Sequence, residues 1–287
     1  MYDMEDFGEF SAMKPREKAV PFKINKGKEH NYFYMSDFSP YNYSLNDLRK
    51  EYDLIQVFKN MLRKNYPILM EYFHKPIKYL RTRQFQKSLA KHSISNPDFS
   101  QKFVYFPLHY QPELTTTAIG GIYCDQVLAI EKLANFLPDD WLIYIKENPK
   151  QSSYQRGPDF FERIKPIKKA KIVPLSTNTY KLIKHCVFVA TITGTPGWEA
   201  ITWGKNTLAF GNAWYRKLPG IFEFSDKLKL ENILNYKVDH SDLEQKVGEL
   251  VAKLPDGVID SHYAEELENF DANKNAKTIA KLIEELI

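Results

Sequence analysis

Residues 191–200 read Thr-Ile-Thr-Gly-Thr-Pro-Gly-Trp-Glu-Ala, and here the side chains that could do chemistry are most concentrated. The apolar run Val187–Thr191 predicts a strand that ends in a turn carrying Gly194 and Gly197, after which a helix starts. Thr195 is placed to cap that helix, and Pro196 suits its first turn because it has no amide proton to lose. Unpaired amides and the positive end of the helix dipole would form a cradle for a diphosphate or phosphodiester. Thr193 and Thr195 would add hydroxyl donors, and Glu199, one turn in, would accept from ribose or sugar hydroxyls. The same turn could also serve as a capped helix start with no ligand.

Further clusters follow other expected strands. Lys146-Glu147-Asn148-Pro149 comes after Trp141–Ile145, and two charges and an amide at a strand end are costly unless solvated or used. These residues therefore line a cleft or form a polar loop. After Phe103–Phe106 comes Pro107-Leu108-His109-Tyr110-Gln111-Pro112-Glu113, with His109 a candidate proton-transfer group or a structural hydrogen-bonder and Gln111 beside it. Gly120-Gly121 would let backbone approach a ligand closely. Ser176 and Thr177, after Lys171–Leu175, would contact phosphate or cap the next helix.

Other chemistries find no pattern. Cys124 and Cys186 lie far apart without neighbouring ligands, so no metal site is expected. There is no phosphate-binding Walker loop and no Gly-x-Ser-x-Gly elbow, and Asp139-Asp140 reads as a helix-to-strand loop. No cofactor is expected.

The elements that must position these groups change character near residue 100. Before it the chain is rich in Tyr, Phe, Lys and Asn, with one helix expected from Ser44 and a second, basic one from about Ile77 to Lys91, Pro67 and Pro76 interrupting between them. Ser95-Asn96-Pro97-Asp98 reads as a linker. After it, short apolar runs alternate with helical patterns: strands at 103–106, 141–145, 171–175, 187–191 and 207–210, and helices at about 124–135, 159–164, 180–185 and 198–203. This rhythm predicts an α/β fold, a Rossmann-like parallel sheet with helices on both faces. A last helix is expected from His262 to Ile287. The domain reading is therefore an N-terminal helical or irregular region over 1–100 and a Rossmann-like domain over 101–287.

Bulk properties set the setting. The 287 residues include 43% hydrophobic and 26% charged side chains, as in a folded protein, with an aromatic share of 14%. The net charge of +4 does not call for a nucleic-acid partner, but residues 59–91 hold nine Lys or Arg against the single acid Glu71. That stretch is either a solvated helix face or a contact for an anionic membrane. Two cysteines, no apolar leader and no long apolar run point to a cytoplasmic protein, with a peripheral position at the inner membrane as the alternative.

The clusters also occur in a telling order: Phe103–Glu113, Gly120-Gly121, Asp125-Gln126, Leu137-Pro138, Ile145-Lys146-Glu147-Asn148-Pro149, Thr193-Gly194-Thr195-Pro196-Gly197-Trp198-Glu199-Ala200 and Phe210-Gly211-Asn212-Ala213-Trp214-Tyr215. Over about 103–215 this succession resembles the capsular polysaccharide synthesis family, a group similar to the β-Kdo transferases of GT-B architecture. The resemblance implies two Rossmann-like domains flanking a cleft, with the activated sugar bound mainly by the C-terminal one and transferred with inversion and without an essential metal. The family's Lys-Glu-His-Pro motif, which contacts the nucleotide, maps onto Lys146, Glu147, Asn148 and Pro149. The turn from Gly194 to Glu199 would hold phosphate and ribose.

Two departures stand out. Asn148 replaces the family's histidine and cannot carry positive charge to a leaving phosphate. Residues 1–100 lack the βαβ texture of an acceptor domain, where the resemblance places the general base, so no catalytic residue is assigned. The expectation is a donor-binding half of an inverting glycosyltransferase of capsular or surface polysaccharide, using CMP-Kdo or a UDP-sugar and a glycan or glycolipid acceptor. A sugar-nucleotide epimerase and a catalytically degenerate nucleotide-binding or scaffold subunit of a surface-glycan assembly are the alternatives.

Overall fold

The computed structural model describes residues 23–24, 66–151, 156, 159–254, 257–258 and 270–286. The helix expected from Ser44 and the basic residues Lys59, Arg63 and Lys64 lie outside the described residues.

Six short strands form one sheet: β1 (Phe103–Pro107), β2 (Leu142–Lys146), β3 (Ala170–Ile172), β4 (Val189–Thr191), β5 (Thr207–Ala209) and β6 (Ile221–Glu223). Their order is β3-β2-β1-β4-β5-β6, and every pairing is parallel. All five residues of β1 are buried, as the central strand of a sheet covered on both faces requires. The strand β6 follows a run too short and too exposed to announce itself in the sequence.

Side chains alternate across the sheet and so build two cores. Val104, Phe106, Ile143, Ile145, Ala190 and Leu208 point to one face, which is covered by α1 (Tyr66–His92), α2 (Gln126–Phe136), α3 (Phe160–Ile164) and α6 (Leu230–Asn235) through Phe85, Leu89, Ile130, Leu133, Phe161 and Ile233. Phe103, Tyr105, Tyr144 and Val189 point to the other, covered by α4 (Thr179–His185) and α5 (Thr195–Thr202) through Leu182, Ile183 and Ala200. The expected Rossmann-like α/β sheet with helices on both faces is what the chain adopts.

The N-terminal part departs from expectation at Pro76, where α1 continues without a break. Most of the stability of a protein helix comes from packing, and here Phe85 and Leu89 seat the second half of α1 on the sheet. The stretch expected as a linker is stitched down too. The Tyr144 hydroxyl donates to the Asp98 carbonyl and accepts from the Asp98 amide, each at 2.9 Å, and Ser93 forms a parallel bridge to Ile172 beside β3. No helix among the described residues is long and apolar enough to cross a membrane.

By internal contacts the chain divides into two units, Asn25–Val238 with the sheet, and Met1–Ile24 with Asp239–Ile287. The second contains α7 (His240–Lys253), whose first turn is capped by Asp239 accepting from the Ser241 amide, and α8 (Ala272–Leu286). Sequence reading anticipated α8 and overlooked α7.

Candidate functional site

In this strand order the chain runs outward in one direction from β1 and in the other from β4, so the connections leaving these two neighbours diverge at the carboxyl edge. Ligands of open parallel sheets bind at such a switch point. Lys146 ends β2 and Thr191 ends β4, and both strands flank β1, so Lys146 and the Gly194 turn lie on the same edge. The loops there are tied together. The Gly211 amide donates to the Ile192 carbonyl and the Asn212 amide to the Ile119 carbonyl, both at 2.9 Å. Gly120 is buried in this knot, where a Cβ would strike the Thr116 carbonyl and the Ile192 side chain. Gly121 is exposed and turns with a φ of 57°, a backbone state that glycine adopts freely.

His109 bridges the switch point. Its Nε2 is 2.9 Å from the Thr191 hydroxyl and 3.3 Å from the Ile192 amide. An amide can only donate, so Nε2 is the unprotonated nitrogen, and Nδ1–H donates to the Thr116 hydroxyl at 3.1 Å. Burial, with the nearby Arg156 charge adding to it, lowers the His109 pKa to about 3. The imidazole is a neutral pin between the loops after β1 and β4. It also explains Gly194, where any Cβ would lie 2.7 Å from the His109 ring.

Glu147 and Lys146 part company because neighbouring residues of a strand face opposite ways. Glu147 goes to the α2–α3 side and meets Arg156, a residue that sequence reading did not single out. Arg156 Nε and Nη2 reach the two Glu147 oxygens at 3.0 and 2.8 Å, and neither side chain is exposed. Arg156 Nη1 donates to Gln111 Oε1 at 2.7 Å and Nη2 to the His109 carbonyl at 2.5 Å, with the Phe160 ring 4.7 Å from the guanidinium carbon. Gln126, also buried, donates to that carbonyl at 3.1 Å and accepts from the His109 amide at 2.8 Å. Arg156 lies in a polar stretch where nothing local marks it, whereas Glu147 and Gln111 offered acceptors for a cation. Asn148 forms a local turn, its Oδ1 accepting from the Lys150 amide at 2.9 Å, while its own amide donates to Glu147 at 2.7 Å.

On the α4–α5 side, Lys146 Nζ donates to Thr179 Oγ1 at 2.9 Å, and no carboxylate pairs with it among the described residues. Desolvation lowers its pKa to about 8. The buried Tyr105 hydroxyl also bonds the Thr179 side chain, and burial, with Glu199 next in effect, raises its pKa. Glu199 is buried in α5 with the Tyr180 hydroxyl 3.4 Å from Oε1. Thus Lys146 and Glu199 both border the space around Tyr105 and Thr179.

The start of α5 differs in detail from the expected cap. Gly194, rather than Thr195, is the capping residue, and no side chain takes the cap bond. Tyr215 is the reason, because its buried hydroxyl donates to the Gly194 carbonyl at 2.5 Å and fixes the chain one residue earlier. The Gly194 amide donates to Thr191 Oγ1 at 3.3 Å and the Gly197 amide to the Gly194 carbonyl at 3.0 Å. Pro196 has no amide proton, so the exposed Thr195, with its amide and hydroxyl, carries what this helix end can offer an anion. Thr193 is buried one residue before the cap. Ser176 is exposed beyond β3, and Asn178 caps α4 in place of Ser176 or Thr177, its Oδ1 accepting from the Lys181 amide at 2.8 Å. Among the described residues no group of three or more His, Cys, Asp or Glu could hold a metal ion.

Strand order, two-sided helical cover and a loop knot at the switch point define a doubly wound α/β protein of the Rossmann-like class. Residues 28–232 match the family model described as capsule polysaccharide biosynthesis protein, and the chain belongs to that family. No curated protein matches it. Among solved structures it is similar to the β-Kdo 2,7 transferase KpsC of Thermosulfurimonas dismutans, at 16% identity and a TM-score of 0.39 over 60% of this chain and 50% of that one. It is similar also to the β-Kdo 2,4 transferase KpsC of the same organism, at 14% and 0.35 over 60% of this chain and 54% of that one. A third is WaaG, a glycosyltransferase involved in lipopolysaccharide biosynthesis, at 16% and 0.29 over 69% and 50%. The chain thus spans about half the length of each.

Two outcomes check this site. The folded state withholds a proton from His109 between pH 6.5 and about 3, so stability falls as pH drops through that window, by at most about 1.4 kcal/mol per unit. Thermal melts of wild type and His109→Gln should show the steeper acid loss in wild type; parallel profiles would contradict the neutral pin. Arg156→Met strands a buried carboxylate and should cost about 3–5 kcal/mol in urea unfolding, with Glu147→Gln added to it restoring part of the loss.

Proposed function

We infer that the chain is the donor-binding half of an inverting glycosyltransferase of capsular or surface polysaccharide, with a nucleotide-activated sugar seated at the carboxyl edge between β2 and α5. One observation carries this reading: Lys146 is a largely desolvated amine with no acidic partner among the described residues, on the same edge as the start of α5. A cation so placed is costly alone and favourable once an anion arrives. The donor's phosphates would lie between Lys146 and the Thr195 amide and hydroxyl, with Glu199 and Thr193 toward the sugar or ribose. Lys146 would then stabilise the negative charge that develops on the departing phosphate. His109 is too weak a base at a pKa of about 3 to deprotonate an acceptor. His109, Gln111, Gly120, Glu147 and Asn148 act in this reading as the frame behind the donor, with Gly121 and Ser176 at its rim.

The second reading, a nucleotide-binding subunit without transfer activity, is favoured by Asn148, whose side chain closes a local turn where the family motif has histidine. Both readings require nucleotide binding.

The acceptor reading, a glycan on a lipid, is supported by α1. Ile77 and Leu80 are 49% and 60% exposed and lie in one helical stripe with the exposed Arg81, Lys87 and Lys91. Such a stripe suits peripheral contact with the anionic inner face of a membrane.

Nucleotides bind the folded state by mass action and should raise the melting temperature. CMP, UMP, GMP and their sugar conjugates are the ligands to screen. Lys146→Met should weaken binding at least about tenfold while melting no lower than wild type, because it removes a buried unpaired charge. Wild-type binding should also decline as pH rises through about 8 and the amine loses its proton. A wild type that no nucleotide stabilises defeats the proposal. For α1, cosedimentation with phosphatidylglycerol vesicles should exceed that with phosphatidylcholine, and reversing Arg81, Lys87 and Lys91 to Glu should reduce it at least about tenfold; equal binding to both vesicles rules the contact out.

A further inference from the structure

Trp214 follows β5 at the same edge and is 56% exposed, a large apolar surface held where a ligand would lie. Its backbone is not loose. The Ala213 amide donates to the Gly211 carbonyl and the Arg216 amide to the Ala213 carbonyl, at 2.9 and 3.0 Å. The next residue, Tyr215, is fully buried and bonds the Gly194 carbonyl at 2.5 Å. The indole is therefore delivered to a fixed place beside the first turn of α5. It lies 5.2 Å from the half-buried Trp198 ring at 46°, and Tyr215 abuts it edge-on at 5.4 Å. These rings brace Trp214, and more than half of its surface stays in solvent.

We propose that Trp214 is an aromatic shelf on which the nucleobase of the donor stacks. This rests on the donor-binding reading above and adds to it the place of the base. A planar aromatic held rigid is the side chain that base stacking uses, and such stacking tolerates any base because each has a π face. A pyranose is a poorer fit, because hydroxyl groups need free polar side chains around the ring. Here the neighbouring polar groups are engaged: Asn212 Oδ1 accepts from Arg216 and the Tyr215 hydroxyl donates to Gly194. The distance from shelf to phosphate site is short in chain terms, since Trp198 stands three residues after Thr195 on the same helix.

The test titrates the full chain with CMP, UMP, AMP and GMP, and in parallel with inorganic pyrophosphate, following tryptophan emission and melting temperature. In wild type the nucleotides should quench emission. Trp214→Ala should weaken all four nucleotides by about fivefold to a hundredfold and remove most of the quench, while pyrophosphate binding stays within twofold. Trp214→Phe should keep most of the affinity. If nucleotides bind wild type and Trp214→Ala equally well, the shelf is wrong and the donor-binding reading survives. If pyrophosphate weakens as much as the nucleotides in Trp214→Ala, the residue supports the loop rather than the base, and the shelf is wrong again. If wild type binds neither nucleotide nor pyrophosphate, both readings fall.

Discussion

Where the connections from β1 and β4 diverge, a parallel sheet leaves a gap at its carboxyl edge, and in this protein an imidazole occupies it. His109 takes bonds from Thr191 and Ile192 on one side and gives one to Thr116 on the other, so the two loops hold a fixed separation. Much of the edge follows from that bond set. Gly194 has no side chain because the ring fills its place, and Arg156 and Gln126 close on the His109 carbonyl from behind. A protonated ring would lose its acceptor nitrogen, and burial with the neighbouring guanidinium keeps it neutral by penalising the charged form.

The strand end of β2 divides the edge into two kinds of ground. Glu147 points into a saturated network in which each charge and amide has its partner, an arrangement that holds geometry. Lys146 points the other way, to the Thr179 hydroxyl, with its positive charge unmatched among the described residues. Rigid on one side and electrostatically open on the other is the arrangement a preorganised anion site needs.

The sheet was legible because its strands are short apolar runs separated by helical patterns, and Val187–Thr191 before Gly194 located the switch-point turn. What escaped had weaker local signals. β6 is three residues, two half-buried and one exposed. The continuity of α1 through Pro76 depends on packing partners far along the chain. α7 did carry a readable mark, Asp239 as a cap ahead of Leu243 and Val247 at helical spacing. In the candidate site, residue types and order were legible, but roles were not. Lys146 and Glu147 read as one cluster until strand alternation sends them to opposite faces, a consequence that period-two reasoning contains. Arg156 as the counter-ion of Glu147 could not be read, because only the fold brings a residue nine positions on back to that carboxylate.

The Ser93–Ile172 bridge carries a meaning for how this molecule meets others. It lays a piece of chain along β3, and the Ile94 amide takes the Ile172 carbonyl at 2.8 Å, so that flank has little left to offer an incoming strand. At the opposite flank, among the described residues, β6 pairs only with β5. Its brevity and the Glu223–Lys217 ion pair at its end discourage strand addition there. Among the described residues, growth of the sheet across molecules has a single direction available, and charge guards it.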